Sequence, residues 1–173
     1  MTTTSETIAT VQVYRVYIKA TPEAIWDAIT TPEWSERYGY GGRSEYDLRP
    51  GGGYRTLASE AMTAQGAEMG FEVPAVIVDG EVIESDPPRK LVQTWRLLMD
   101  PATAEEGFTR LIWEIEAIPG GATKLTVTHD LMSAPQLAAM VSGAKESEGA
   151  GGGWSWILSD LKSLLETGKP LAG

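Results

Sequence analysis

His129 is the only histidine in the chain. By type it is the side chain best suited to exchange a proton near neutral pH. It lies in the alternating run 123–130, on the face it shares with Leu125 and Val127. Two roles are open to it there. It can point a polar tip at a bound molecule, as a hydrogen-bonding group or a base, or it can satisfy itself on a backbone carbonyl at a strand end. A lone histidine with no evident partner favours the second. Zinc needs several His or Cys ligands, the chain has no cysteine, and no carboxylate run has EF-hand spacing, so no metal is expected. No Gly-x-Ser-x-Gly presents a nucleophile, and Ser155 and Ser159 fall on the polar side of a helix. Glycines within 149–153 precede a helix, but no strand leads into them. Trp154 stands where a phosphate loop carries Lys-Ser/Thr. Glu81, Glu84, Asp86 and the acidic segment 100–106 lie on separate elements and read as a solvated face. The sequence names no catalytic residue and implies no cofactor.

The aromatic residues carry more. Trp26, Trp34, Tyr38, Tyr54, Trp95, Trp113 and Trp154, with Met140 and Leu158, are the candidates for the wall of a cavity. Each alone reads as core packing. Together they mix apolar rings with indole N–H and phenol O–H groups, which suits a cavity holding an apolar or aromatic small molecule. Trp34, Tyr38 and Tyr40, at a helix–helix junction, would form its rim. Met62, Met69 and Phe71 in one loop, and Leu137, Met140 and Val141 beyond the last strand, are candidate lids. Trp156 is roughly 200° round its helix from Trp154, which makes it the candidate contact for a protein partner.

The elements that must position these groups are legible from periodicity. Residues 12–19 alternate, with Tyr14, Val16 and Ile18 on one face, and predict a strand. Thr21-Pro22 and Thr31-Pro32 each open a short helix. Strands are predicted at 44–48, 54–57, 76–83, 91–98, 109–118 and 123–130, with Pro87-Pro88 and Pro119-Gly120-Gly121 as turns. Residues 58–74 and 99–107 show no clear period and are expected to be loops. A short helix is expected from Ser133-Ala134-Pro135, followed by a flexible connection over 143–153. The last helix, 154–166, carries the stripe Trp154, Ile157, Leu158, Leu161, Leu165. An antiparallel sheet with helices packed on one face is the expected α+β architecture. Residues 1–9 read as a flexible lead-in, 10–168 as a single domain and 169–173 as a tail.

A chain of 173 residues is long enough to bury a core without staples. Its net charge of −10 argues against DNA, RNA or an anionic membrane as a partner. No apolar run suits membrane insertion or a signal peptide. With no cysteine, the expected location is the cytoplasm.

The element order, and the words Thr21-Pro22-Glu23-Ala24-Ile25-Trp26, Arg49-Pro50-Gly51-Gly52, Gly80-Glu81-Val82 through Thr94-Trp95, Thr123 to His129, and Gly153-Trp154, resemble the START-like superfamily (SRPBCC, the birch-pollen-allergen-like fold). Within it the chain is most similar to the branch named for the activator of heat-shock-protein-90 ATPase. The resemblance implies a helix-grip fold, with a curved antiparallel sheet around a long C-terminal helix and an apolar ligand cavity between them. It also implies two alternatives, a co-chaperone-like protein-interaction module and a cyclase-, dehydratase- or hydrolase-like enzyme using the same cavity. The segments 58–75 and 133–153 are longer than the family's usual connections. The separate N-terminal domain of the eukaryotic co-chaperone has no counterpart, so the chaperone role does not follow from the family name.

Overall fold

The computed structural model describes residues 10–148 and 151–171. The expected lead-in over 1–9, residues 149–150 of the glycine-rich connection and the end of the tail lie outside the described residues.

The chain begins with β1 (Val11–Ile18), whose odd positions face solvent and whose even positions turn inward, ending in fully buried Ile18. Thr21 then caps α1 (Pro22–Thr30): its side chain accepts the Ala24 N–H at 3.2 Å. Thr31-Pro32 opens the single turn of α2 (Pro32–Ser35). A run of hairpins follows: β2 (Arg43–Tyr46), β3 (Gly53–Leu57), β4 (Val76–Asp86), β5 (Lys90–Leu97), β6 (Thr109–Ala117) and β7 (Thr123–Asp130). All pairings are antiparallel, and the strand order is β1-β7-β6-β5-β4-β3-β2. This is the helix-grip α+β architecture the sequence predicts.

Two expected loops are helical. Residues 60–68 form α3 (Glu60–Glu68), capped by the Ser59 side chain on the Met62 N–H at 3.1 Å. Gly66 is the one residue of α3 that is buried, so the helix has no apolar stripe to betray it. A cap and a run of helix formers suffice instead. Likewise Asp100 caps the short α4 (Pro101–Glu105) within the acidic segment. The expected helix after the last strand is α5 (Pro135–Val141). Ala134 offers it no capping side chain, and the Glu106 carboxylate accepts the Gln136 and Leu137 N–H groups instead, at 2.9 and 3.0 Å.

α6 (Gly153–Thr167) lies against the inner face of the sheet. Trp154, Leu158, Leu161 and Leu164 are buried, while Ile157 and Leu165 sit at the margin of the core. The helix ends at Gly168 in the left-handed conformation (φ 79°), whose N–H bonds Leu164 O at 2.8 Å. Asp160 is a charged residue inside this apolar stripe. It is 2% exposed and accepts the Gly39 N–H at 2.7 Å and the Leu171 N–H at 2.5 Å. It therefore ties α6 to the turn after α2 and to the chain beyond α6.

One glycine sets the spacing of the central strands. Gly80 pairs with Tyr54 and, by the register of its neighbours, faces Trp95. A Cβ there would lie 2.0 Å from the Thr94 carbonyl oxygen, which a backbone atom cannot yield to. Gly80→Ala is expected to lower the unfolding free energy by about 3 kcal/mol in urea denaturation. A loss below about 0.5 kcal/mol, the range of a neutral surface change, would show that β4 and β5 separate there freely.

Candidate functional site

Two cross-strand rows on the inner face bring the polar and aromatic groups together. One runs Gln12, His129, Leu111, Gln93, Val82; the other runs Tyr46, Tyr54, Gly80, Trp95, Thr109. α6 lowers Trp154 onto them. Its ring centroid lies 5.9 Å from His129, 5.4 Å from Trp113 and 6.2 Å from Trp95, and Trp95 lies 5.3 Å from His129. These are the separations of edge-to-face and tilted aromatic packing.

His129 is fully buried, and both ring nitrogens are engaged. The Trp154 indole donates to Nδ1 at 3.1 Å, and Nε2 lies 2.7 Å from the Thr109 hydroxyl. An indole N–H can only donate, so Nδ1 must be the acceptor and the proton sits on Nε2. Nε2 donates to Thr109 Oγ1, and that hydroxyl donates in turn to the Trp95 carbonyl at 2.7 Å. One directed chain of hydrogen bonds therefore runs from α6 through β7 and β6 to β5. Loss of solvation lowers the His129 pKa to about 3. The imidazole is neutral and satisfied, but by side chains rather than by the backbone carbonyl that a strand-end histidine suggests. It has neither a free lone pair nor a spare proton for acid–base work.

Gln93 is the residue that pattern reading misses. It is fully buried, and its Oε1 accepts the Tyr46 hydroxyl at 2.7 Å and the Trp113 indole N–H at 3.0 Å. Its signal was parity: it falls between Leu91 and Trp95 on their inward face. Tyr46, also missed, stacks on Tyr54 with centroids 4.4 Å apart. The Tyr54 hydroxyl meets Thr56 Oγ1 at 2.8 Å, and Thr56 meets Ser44 at 2.9 Å. Tyr38 donates to the Ala28 carbonyl at 2.9 Å. Burial raises the pKa of Tyr38, Tyr46 and Tyr54 alike, so these phenols stay protonated and serve as neutral hydrogen-bonding groups.

The remaining candidates divide. Trp26, Trp113, Trp154 and Leu158 are buried in the main core, and Trp34, Tyr38, Tyr46 and Trp95 pack at its margin with partial exposure. Trp34 is also covered by the Arg37 guanidinium, 4.7 Å from its ring. Tyr46 and Trp95 touch a second, smaller cluster of Tyr54, Val73, Ile77 and Val78 as well, and so stand at the seam between the two. Met140, half-buried on α5, and Trp156, half-buried on α6, belong to neither cluster. Of the proposed lids, Met62 packs on the smaller cluster, while Met69 and Phe71 face solvent.

The buried side chains of the main core line the interface between the sheet and α6. An open recess of about 520 Å³ lies instead beside β1 and α5, lined by Val11, Val13, Tyr14, Ala138 and Ala139 among others. A second, of about 360 Å³, lies on the β2–β3 hairpin and includes Tyr46 and Tyr54 in its wall. Among the described residues no three His, Asp or Glu side chains gather as metal ligands would, and no helix is long and apolar enough to cross a membrane.

The model of a family described as "Activator of Hsp90 ATPase homolog 1-like protein" matches residues 19–166. No curated protein matches the sequence. Among solved structures, an HSP90 activator from Plasmodium falciparum is 18% identical over 90% of this chain and 95% of its own, with a TM-score of 0.60. The Aha1 dimer from Colwellia psychrerythraea is 19% identical over 92% and 98%, with a TM-score of 0.57. DynU16, from the dynemicin biosynthetic locus, is 20% identical over 93% of this chain and 49% of its own, with a TM-score of 0.61. At such identities the likeness is one of fold.

The buried imidazole yields a pH prediction with a definite sign. His129 stays neutral in the folded chain down to about pH 3, whereas an unfolded histidine takes up a proton near 6.5. Between those values the unfolded state binds more protons, so this group's contribution to stability is lost as pH falls. The advantage of the wild type over His129→Gln is expected to shrink by about 2 kcal/mol between about pH 6.5 and about pH 4.5. In the same range the His129 ring NMR shifts should stay constant. A ring that titrates near its ordinary pKa would contradict the hydrogen-bond assignment.

Proposed function

Since the chain belongs to the Activator of Hsp90 ATPase homolog 1-like family, we propose that it binds an apolar or aromatic small molecule on the inner face of the sheet, beneath α6. The observation that supports this is the graded burial of one continuous aromatic set. Trp113 and Trp154 are buried, while Tyr46 and Trp95 keep solvent contact at the seam between two core clusters. A ligand entering at that seam displaces only side chains that are already partly exposed. Its apolar surface then leaves water at roughly 25 cal/mol per Å², and buried polar tips set its orientation. The structural neighbour DynU16 is a protein of the dynemicin biosynthetic locus.

Binding is favoured over turnover. A reaction needs an acid or base that can give or take a proton at the bound molecule, and both nitrogens of His129 are held by the protein. A second role, docking on a protein such as a chaperone, is favoured by one observation: Trp156 is half-buried on α6 outside both core clusters. The Plasmodium neighbour is an HSP90 activator. Under this alternative, Trp156→Ala abolishes capture of the partner and leaves small-molecule binding intact.

Thermal shift and tryptophan fluorescence against a panel of lipids and aromatic polyketides test the small-molecule role. At least one class should raise Tm and change the emission. Trp95→Ala should weaken that binding about tenfold or more, the scale of one lost aromatic contact with its buried area. Indifference of the wild type to the whole panel would count against a ligand site here.

A further inference from the structure

The Gln93 carboxamide has only one orientation compatible with its neighbours. Its amide O and N are chemically distinct, and the Trp113 indole N–H, 3.0 Å away, can only donate. Oε1 must therefore face Trp113, where it also takes the Tyr46 hydroxyl. Nε2 is turned away from both. It is buried, in a residue that is itself fully buried, and it has no acceptor among the described residues. Leaving such a group unpaired costs on the order of 1–3 kcal/mol. Native interiors rarely tolerate this unless something outside the chain completes the bond.

We infer that Gln93 is the specificity-determining residue of the proposed ligand site, and that its Nε2 donates to a neutral oxygen acceptor on the ligand, of the carbonyl class. This rests on the small-molecule role proposed above and narrows its substrate class. Gln93 belongs to the first row and reaches the second, bonded to Tyr46 at the seam and to Trp113 in the buried aromatic set. Aromatic surface and an unsatisfied donor thus occur at one place. The charge of the ligand follows from the same rows. Neither row holds a lysine or arginine, and His129 is neutral. A buried carboxylate or phosphate would find no countercharge there and would carry a heavy desolvation penalty. A ketone, quinone or amide oxygen accepts the bond without that penalty. A pure hydrocarbon leaves the amide as it is.

A matched pair of probes separates these cases. 9-Fluorenone and fluorene share one tricyclic frame and differ in a carbonyl against a methylene. The full-length chain, ¹⁵N-labelled, is titrated with each, and the Gln93 side-chain amide pair is assigned through its proximity to the Trp113 indole N–H. Fluorenone should bind about tenfold more tightly than fluorene and should shift the Gln93 amide resonances, which fluorene leaves in place. Gln93→Met, similar in volume and without donors, should bind both probes equally. If that variant fails to fold, the wild-type affinity ratio and the amide shift decide alone. Equal affinities, or amide resonances unmoved by fluorenone, would assign the Nε2 bond to water and overturn the inference while leaving the ligand site standing. If neither probe binds, the ligand site fails and this inference fails with it.

Discussion

The hydrogen bond from the Trp154 indole to His129 Nδ1 is the interaction on which the rest of this structure depends. It joins α6 to the sheet inside the core, where no water can substitute for either partner. It fixes the histidine tautomer, and through it the direction of the bonds to Thr109 and the Trp95 carbonyl. It also fixes the height of α6 over the inner face, since the helix begins only one residue earlier. The Gly153 N–H there bonds the Tyr40 hydroxyl at 3.0 Å, and a Cβ at Gly153 would lie 2.1 Å from the Val141 carbonyl oxygen. The start of α6 is thus held at several points at once. Asp160 repeats the arrangement further along the helix with two backbone N–H groups. Buried polar groups that are fully satisfied specify one packing geometry more sharply than apolar contacts alone.

The same constraint explains why a family-typical framework carries no obvious catalytic set. Most polar groups described on the inner face are consumed by the fold. Histidine, threonine, serine and tyrosine form closed chains, so their chemistry is spent on holding strands and helix together. Two buried side-chain polar atoms are left without a partner among the described residues, Ser85 Oγ and Gln93 Nε2. The second, a carboxamide beside half-buried aromatics, suits the proposed recognition of a neutral molecule better than bond-breaking.

Much of this is legible in the sequence itself. The alternation of Tyr14, Val16 and Ile18 placed β1 and its inward face, and Thr21-Pro22 located the start of α1 to the residue. Both signals are local, and local signals survive in sequence. α3 was not legible because its exposed sides leave no apolar period, and α4 because an acidic stretch reads as loop unless Asp100 is recognised as a cap. The partner of His129 was hidden for a different reason. Trp154 stands 25 residues away on another element, and no spacing rule links them. Gln93 lies at an inward parity between Leu91 and Trp95, but parity alone assigns it no partner. Its meaning depends on an orientation that only the Trp113 indole decides.

The central claim is that the inner face is a site for a small molecule rather than a closed core. Native mass spectrometry of the chain purified without denaturant from its own host tests this most directly. The account predicts a population carrying one discrete extra mass, released on denaturation, that belongs to a neutral compound with aromatic or apolar surface. A spectrum showing only the mass of the bare chain, with the tryptophan emission unchanged by extraction into organic solvent and refolding, would contradict it.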